Sequence, residues 1–186
     1  MNLDLEQRSG WPAELRVLLD RFPRSTWRAS PSGMALFWLE IHDGFRREAA
    51  AVRAGGEAYR GGRADPERLA AATAPRLWSL VVHLHGHHQI EDAHYFPSFR
   101  RADARLAPGI DALERDHGKL CECVAACIEA ANGLDDALRV NGDSPRADAP
   151  RHAADRFVTT TELLTRRLLR HLEDEEDLVI PLMLDR

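Results

Sequence analysis

From His87 to Pro97 the chain reads HHQIEDAHYFP, and from His171 to Pro181 it reads HLEDEEDLVIP. In both segments a histidine is followed four residues later by a glutamate, and a second acid comes next. A proline then stands six residues after the glutamate. Residues four apart lie on one face of an α-helix, so each segment can present an imidazole and a carboxylate together. We interpret the rest of the chain as the framework that holds these two pairs.

Amphipathic stripes, in which residues recur at spacings of three and four, run through four regions of the chain and predict four long helices. The predicted inward positions are Trp38, His42, Phe45, Ala49 and Val52; Leu77, Leu80, Leu84, His87, Glu91, His94 and Ser98; Ile110, Leu113, His117, Leu120 or Cys121, Val124 and Ile128; and Phe157, Thr161, Leu164, Leu168, His171, Glu175, Leu178 and Leu182. No strand pattern competes with them. The prediction is an all-α, antiparallel up-down-up-down four-helix bundle.

Glycine and proline residues indicate where the first two helices end or bend. We expect the first at about residues 34–53, ended by Gly55-Gly56. A short turn from Asp65 precedes the second, which starts near Thr73 and ends or kinks at Pro97.

The same signals set the predicted limits of the other elements. The third helix covers about residues 110–131 and closes at Asn132-Gly133. A loop at residues 141–145 leads to the fourth, which starts near Pro150. Residues 1–32 are predicted to be an N-terminal extension with one short helix, and residues 33–186 the bundle.

Composition excludes several classes of function. Hydrophobic residues make up 44% of the 186-residue chain and charged residues 30%, which is typical of a globular domain. A net charge of -5 with no basic patch argues against binding nucleic acid. The N-terminus lacks the apolar run of a signal peptide, and no segment is apolar enough to span a membrane. We interpret Cys121, Cys123 and Cys127 as small buried apolar residues in a reducing cytoplasm.

Ionisable side chains fall within the apolar stripe of every predicted helix. Burying such groups unpaired costs several kcal/mol, so we expect them to coordinate metal. Imidazoles with carboxylates suit iron or manganese better than calcium or magnesium. One six-coordinate ion, or two ions bridged by both carboxylates, would satisfy them. The predicted ligands are His42, His87, Glu91, His117, His171 and Glu175.

This pattern resembles the hemerythrin-like, or HHE cation-binding, domains over about residues 34–184. The resemblance is carried by His42, by the two His-x-x-x-Glu-acid segments with Phe96-Pro97 and Ile180-Pro181, and by Asp116-His117. It implies a four-helix bundle with a non-haem di-iron site, bridged by oxygen or carboxylates. Manganese or zinc are alternatives to iron. It also implies that O2, or a related ligand such as NO or peroxide, is bound or sensed.

The sequence departs from the oxygen carriers of this family at one ligand. They have a fifth histidine four residues after the one matched by His117, where this chain has Cys121. That departure favours sensing, NO or peroxide chemistry, or iron handling over simple O2 carriage. We also expect a metal- or O2-binding or sensing protein rather than a turnover enzyme. The further candidates for metal ligation are His94, Cys121, Glu176 and His83. His85, His88 and His152 are expected to be exposed or at a helix rim.

Two alternatives stay open. Glu91-x-x-His94 and Glu114-x-x-His117 also match the Glu-x-x-His motif of ferritin-like di-iron oxidases, in which Glu40 would have to serve on the first helix. The second alternative is a helical interaction module that uses metal for stability alone. A homodimer is compatible with the sequence.

Overall fold

The computed structural model describes residues 3–30, 32–140 and 148–185. Short helices α1 (Val17–Arg21) and α2 (Arg24–Trp27) precede two long ones, α3 (Gly33–Arg60) and α4 (Pro66–Ile90). A π-helical turn at Glu91–Tyr95 joins α4 to α5 (Phe96–Ala102). Helices α6 (Ala107–Val140) and α7 (Ala149–Leu184) complete the order, and 3-10 turns lie at Ala13–Leu15 and Ala104–Leu106. The described residues contain no strand, which confirms the all-α prediction.

The chain divides into two compact units. Unit 1 comprises the described residues of Met1–Gly44, His85–Lys119 and Arg167–Arg186. It therefore contains the beginnings of α3 and α6 and the ends of α4 and α7. Because beginnings pack with ends, the successive long helices alternate in direction, as the predicted antiparallel bundle requires.

The N-terminal segment packs into unit 1. Trp11, Leu15, Leu18 and Trp27 are buried in one apolar cluster with side chains of α3, α5, α6 and α7. Burial of four large apolar side chains stabilises this arrangement by roughly 1.5–3 kcal/mol each. The boundary between residues 32 and 33, as a division between an extension and a bundle, stays a prediction.

Unit 2 comprises Phe45–Leu84 and Leu120–Arg166, within the described residues. It shows where the predicted helix limits were wrong. Gly55-Gly56 does not end α3, which continues to Arg60. These two glycines instead let neighbouring helices approach α3. A Cβ at Gly55 would overlap Thr73 of α4, and one at Gly56 would lie 3.1 Å from Val158 of α7.

Helices α4 and α6 are also longer than predicted. Helix α4 begins at Pro66 rather than near Thr73 and carries Pro75 inside it. Helix α6 continues through Asn132-Gly133 to Val140. The predicted start of α7 near Pro150 agrees with Ala149, whereas the loop expected at residues 141–145 lies outside the described residues.

The inward stripes of α3 and α7 are confirmed throughout, since all their predicted members are buried. The stripe of α6 is correct up to Leu120 and then wrong. Cys123 and Cys127 are buried, while Ile128 is exposed. Among the described residues, no helix combines the length and apolar content needed to cross a membrane.

Candidate metal centre

Histidines and glutamates from all four long helices and the π-turn converge inside unit 1. Their donor atoms form two groups, and within each group the atoms lie within 4.8 Å of one another. The first group is His42, His87, Glu91 and Glu175, and the second is His88, His117 and His171. All six ligands predicted from the sequence therefore lie together, with His88 as an addition.

The carboxylate of Glu91 lies between the two groups. Its Oε1 is 2.8 Å from His87 Nε2, and its Oε2 is 3.5 Å from His117 Nε2. Neither oxygen has a hydrogen-bond partner despite these distances. The oxygens and ring nitrogens thus converge on shared space, as ligands of a common ion do.

Glu175 occupies the equivalent position from α7. Its Oε1 is 3.4 Å from His42 Nε2, and its Oε2 is 3.2 Å from His171 Nε2. The indole Nε1 of Trp38 donates a 2.7 Å hydrogen bond to Oε1 and fixes the carboxylate. Each glutamate therefore faces one histidine of each group, which is the arrangement of a bridging carboxylate.

Carboxylates also face the outer nitrogens of three of the rings. His42 Nδ1 is 2.9 Å from Glu176 Oε1, and His117 Nδ1 is 2.8 Å from Asp92 Oδ1. His171 Nδ1 lies 3.6 Å from Asp116 Oδ2. Hydrogen bonds such as those at His42 and His117 orient metal-ligating histidines and leave Nε2 free to coordinate. Glu176, a further ligand candidate from the sequence, thus contacts His42 and belongs to neither group of donor atoms.

Buried polar atoms without a hydrogen-bond partner are concentrated at this cluster. Each such atom costs about 1–3 kcal/mol when it is left unsatisfied. Metal ions would give a partner to the atoms that face the interior of the cluster, whereas His171 Nδ1 faces Asp116. Imidazole with carboxylate suits iron, manganese or zinc. The cluster atoms concerned are His88 Nε2, both carboxylate oxygens of Glu91, His117 Nε2, both ring nitrogens of His171 and Glu175 Oε2.

Burial keeps several of these imidazoles neutral. Burial, together with the charges of neighbouring histidines, lowers the pKa of His87 to about 4 and that of His117 to about 2. The pKa of His88 is lowered for the same reasons. A neutral imidazole is the form that binds a metal ion.

Neighbouring carboxylates raise the pKa of His171 instead of lowering it. Burial lowers its pKa, but Asp116 and Glu175 outweigh burial and raise it to about 9. Burial and the charge of Glu175 raise the pKa of Glu91 well above its usual value. In the absence of a cation the cluster must retain protons, and a bound cation would replace them.

His88 was placed wrongly by the sequence prediction, which put it at the surface or a helix rim. It is 7% exposed and stacks on His117 with ring centroids 3.8 Å apart and planes 9° from parallel. It therefore stands where a third imidazole completes the group of His117 and His171. The available signal was the His87-His88 pair itself, since His88 stands three residues before Glu91 and four after Leu84.

His94 was predicted to point inward and is exposed. The π-turn explains the error. The amide of Phe96 donates to the carbonyl of Glu91, five residues earlier. This wider turn shifts the inward face, so that Phe96 and Phe99 are buried instead of His94 and Ser98.

The remaining candidates lie away from the cluster. Cys121 and His83, the other two candidates for ligation, are both exposed and belong to neither group of donor atoms, and the predicted burial of Cys121 as an apolar residue is wrong. The ferritin-like alternative fails on Glu114, which is exposed and pairs with Arg100. A cavity of about 760 Å³ lies elsewhere in unit 1, and its lining, which includes Trp11, contains no member of the cluster.

Comparison with known families agrees with this geometry. A family model described as the hemerythrin HHE cation binding domain matches residues 35–183. No curated protein and no solved structure is significantly similar to the chain.

Proposed function

Because the chain belongs to the hemerythrin HHE cation-binding domain family, we propose that it holds two iron ions and binds or senses O2 or a related small ligand such as NO. The observation that carries the proposal is the pair of carboxylates. Glu91 and Glu175 each face a histidine from both donor groups. One ion would leave one of these groups unsatisfied, whereas two ions use both.

The proposed ligands divide between the two ions. His42 and His87 would serve one, while His88, His117 and His171 would serve the other. Glu91 and Glu175 would be available to both. Iron at this site would supply the redox chemistry for binding O2 or NO.

The protein's own contribution is to fix and enclose the site. Trp38 holds Glu175 through its indole N–H, and Phe96 covers His117 with ring centroids 5.3 Å apart. Both aromatic residues are buried. A site enclosed in this way favours a small uncharged ligand over a large substrate, and it limits access of bulk water.

Anaerobic titration with Fe(II), followed by O2 and then NO, tests the proposal. We expect two irons per chain and a visible absorption band that changes with each ligand. Glu175→Ala should remove most of the bound iron, because both donor groups lose a ligand. The matched control is Glu173→Ala two residues earlier, where the side chain is 44% exposed.

Two results would contradict the proposal in different ways. A chain that folds but binds no iron would exclude the metal site itself. A chain that binds metal tightly but shows no spectral response to O2 or NO would leave a structural site, for which zinc is the usual ion.

A further inference from the structure

Arg8 is a buried cation that the sequence pattern of the metal site does not include. It lies before α1, yet its side chain is only 1% exposed. Its Nε donates to Asp174 Oδ2 at 2.6 Å, and its Nη2 donates to Asp116 Oδ2 at 2.5 Å. Its Nη1 donates to the Leu3 carbonyl at 2.7 Å. Burying a guanidinium is costly unless it is fully paired, so this position is closely specified.

A turn at Gly10 follows Arg8 and directs the next residue against α7. Gly10 has a φ of 139°, a conformation that L side chains rarely adopt. The turn at Gly10 allows Trp11 to pack under the guanidinium, 4.6 Å from ring centroid to Cζ. The Trp11 indole donates a 2.6 Å hydrogen bond to the Asp174 carbonyl. The segment therefore contacts α7 at the residue directly before Glu175.

Both acidic partners of Arg8 adjoin proposed metal ligands. Asp116 directly precedes His117 on α6, and its Oδ2 also faces His171 Nδ1 at 3.6 Å. The corresponding carboxylates at His42 and His117 lie closer, at 2.9 Å and 2.8 Å. Of these three rings, His171 therefore faces a carboxylate that is engaged by a guanidinium instead of being held by the ring.

We propose that Arg8 is a positioning residue for the metal centre, holding Asp116 and Asp174 so that His171 and Glu175 keep their coordinating orientation. The inference rests on the proposed function above. In this proposal the segment before the four long helices supports the metal ligands directly, in addition to packing on the apolar core. Loss of a partner one step removed from a metal typically weakens binding about 10- to 100-fold.

Arg8→Gln tests this, because glutamine keeps polar atoms but removes the charge and the forked donors. Co(II) is the probe, since its visible spectrum reports ligand geometry whether or not iron chemistry follows. We expect Co(II) binding to weaken by about 10- to 100-fold, most strongly for the ion served by His171, and the spectrum of bound Co(II) to change. Arg8→Lys should recover part of the affinity, and methylguanidinium should do the same when added to Arg8→Ala.

Arg24→Gln is the matched control. Arg24 lies in the same segment and also pairs with α7, through Asp177 and Glu173, but its side chain is 50% exposed. We expect this variant to bind both Co(II) ions as the parent does.

The possible failures are distinguishable. A parent chain that binds no Co(II) or iron overturns the proposed function and this inference together. A parent that binds two ions, with Arg8→Gln unchanged or with Arg24→Gln equally weakened, overturns the role of Arg8 alone. If Arg8→Gln does not fold, an Arg8→Lys variant that folds and binds both ions with parent affinity and spectrum overturns it as well.

Discussion

His88 packs its ring flat against that of His117, and its Nε2 has no hydrogen-bond partner. Flat stacking of two neutral imidazoles leaves one nitrogen of each ring within 4.8 Å of the other and of a nitrogen of His171. His88 therefore supplies an imidazole that α6 does not, since α6 has the exposed Cys121 at the position where a fifth histidine was considered. The centre thus has five candidate imidazoles, with the fifth contributed by α4 rather than α6.

Replacing His88 should therefore affect one ion and spare the other. We expect His88→Ala to lower the iron content from about two towards one per chain, with the remaining ion held by His42, His87 and the two glutamates. His94→Ala is the control, because that side chain is exposed on the adjacent turn. Iron analysis after anaerobic loading and desalting gives the answer. Equal iron content in His88→Ala and the parent would remove His88 from the ligand set.

Sequence periodicity located most of this centre and failed where the helix geometry changes. His42, His117 and His171 were correctly placed, because the α-helical period holds on α3, on the first half of α6 and on α7. His94 was misplaced because the π-turn at Glu91–Tyr95 inserts a wider turn that no spacing of three or four anticipates. His88 precedes that turn and lies four residues after the buried Leu84, so a wider inward stripe on α4 includes it.

At the scale of elements, the glycines of the long helices have two different roles. Gly55 lies where α3 approaches α4, and an added Cβ would overlap Thr73 Cγ2. Gly133 lies inside α6 with nothing within 4 Å of such a Cβ. Both glycines were predicted to end helices, since a glycine that ends a helix and one that permits close packing are identical in the sequence.

Substitution of these two glycines by alanine should change the free energy of unfolding in opposite directions. Gly55→Ala should destabilise the fold by about 1–3 kcal/mol through overpacking, whereas Gly133→Ala should stabilise it by roughly 0.5–1 kcal/mol by restricting the unfolded chain. Urea unfolding of the metal-free protein measures both. Thr73→Ser removes the overlapping methyl, so it should relieve Gly55→Ala. A neutral Gly55→Ala would mean that the helices separate at little cost.

At the scale of the whole molecule, the candidate centre draws its side chains from unit 1 alone. The described residues of unit 1 bury the unpartnered donor atoms together with Arg8, Asp116 and Asp174. Unit 2 is held by apolar side chains and the helix approaches at Gly55 and Gly56. Metal binding should therefore stabilise the molecule unevenly.

Hydrogen exchange with and without bound metal should show this unevenness. A ligand at 100 times its Kd stabilises the folded chain by about 2.7 kcal/mol, which slows every amide that exchanges through global unfolding. Amides that exchange through local opening should slow only in residues 33–44, 85–119 and 167–184, where the ligands and their partners lie. Equal slowing of locally exchanging amides in residues 45–84 and 120–166 would show that the centre orders the whole length of the helices. No slowing in either unit would mean that the donor groups bind metal too weakly to contribute to stability.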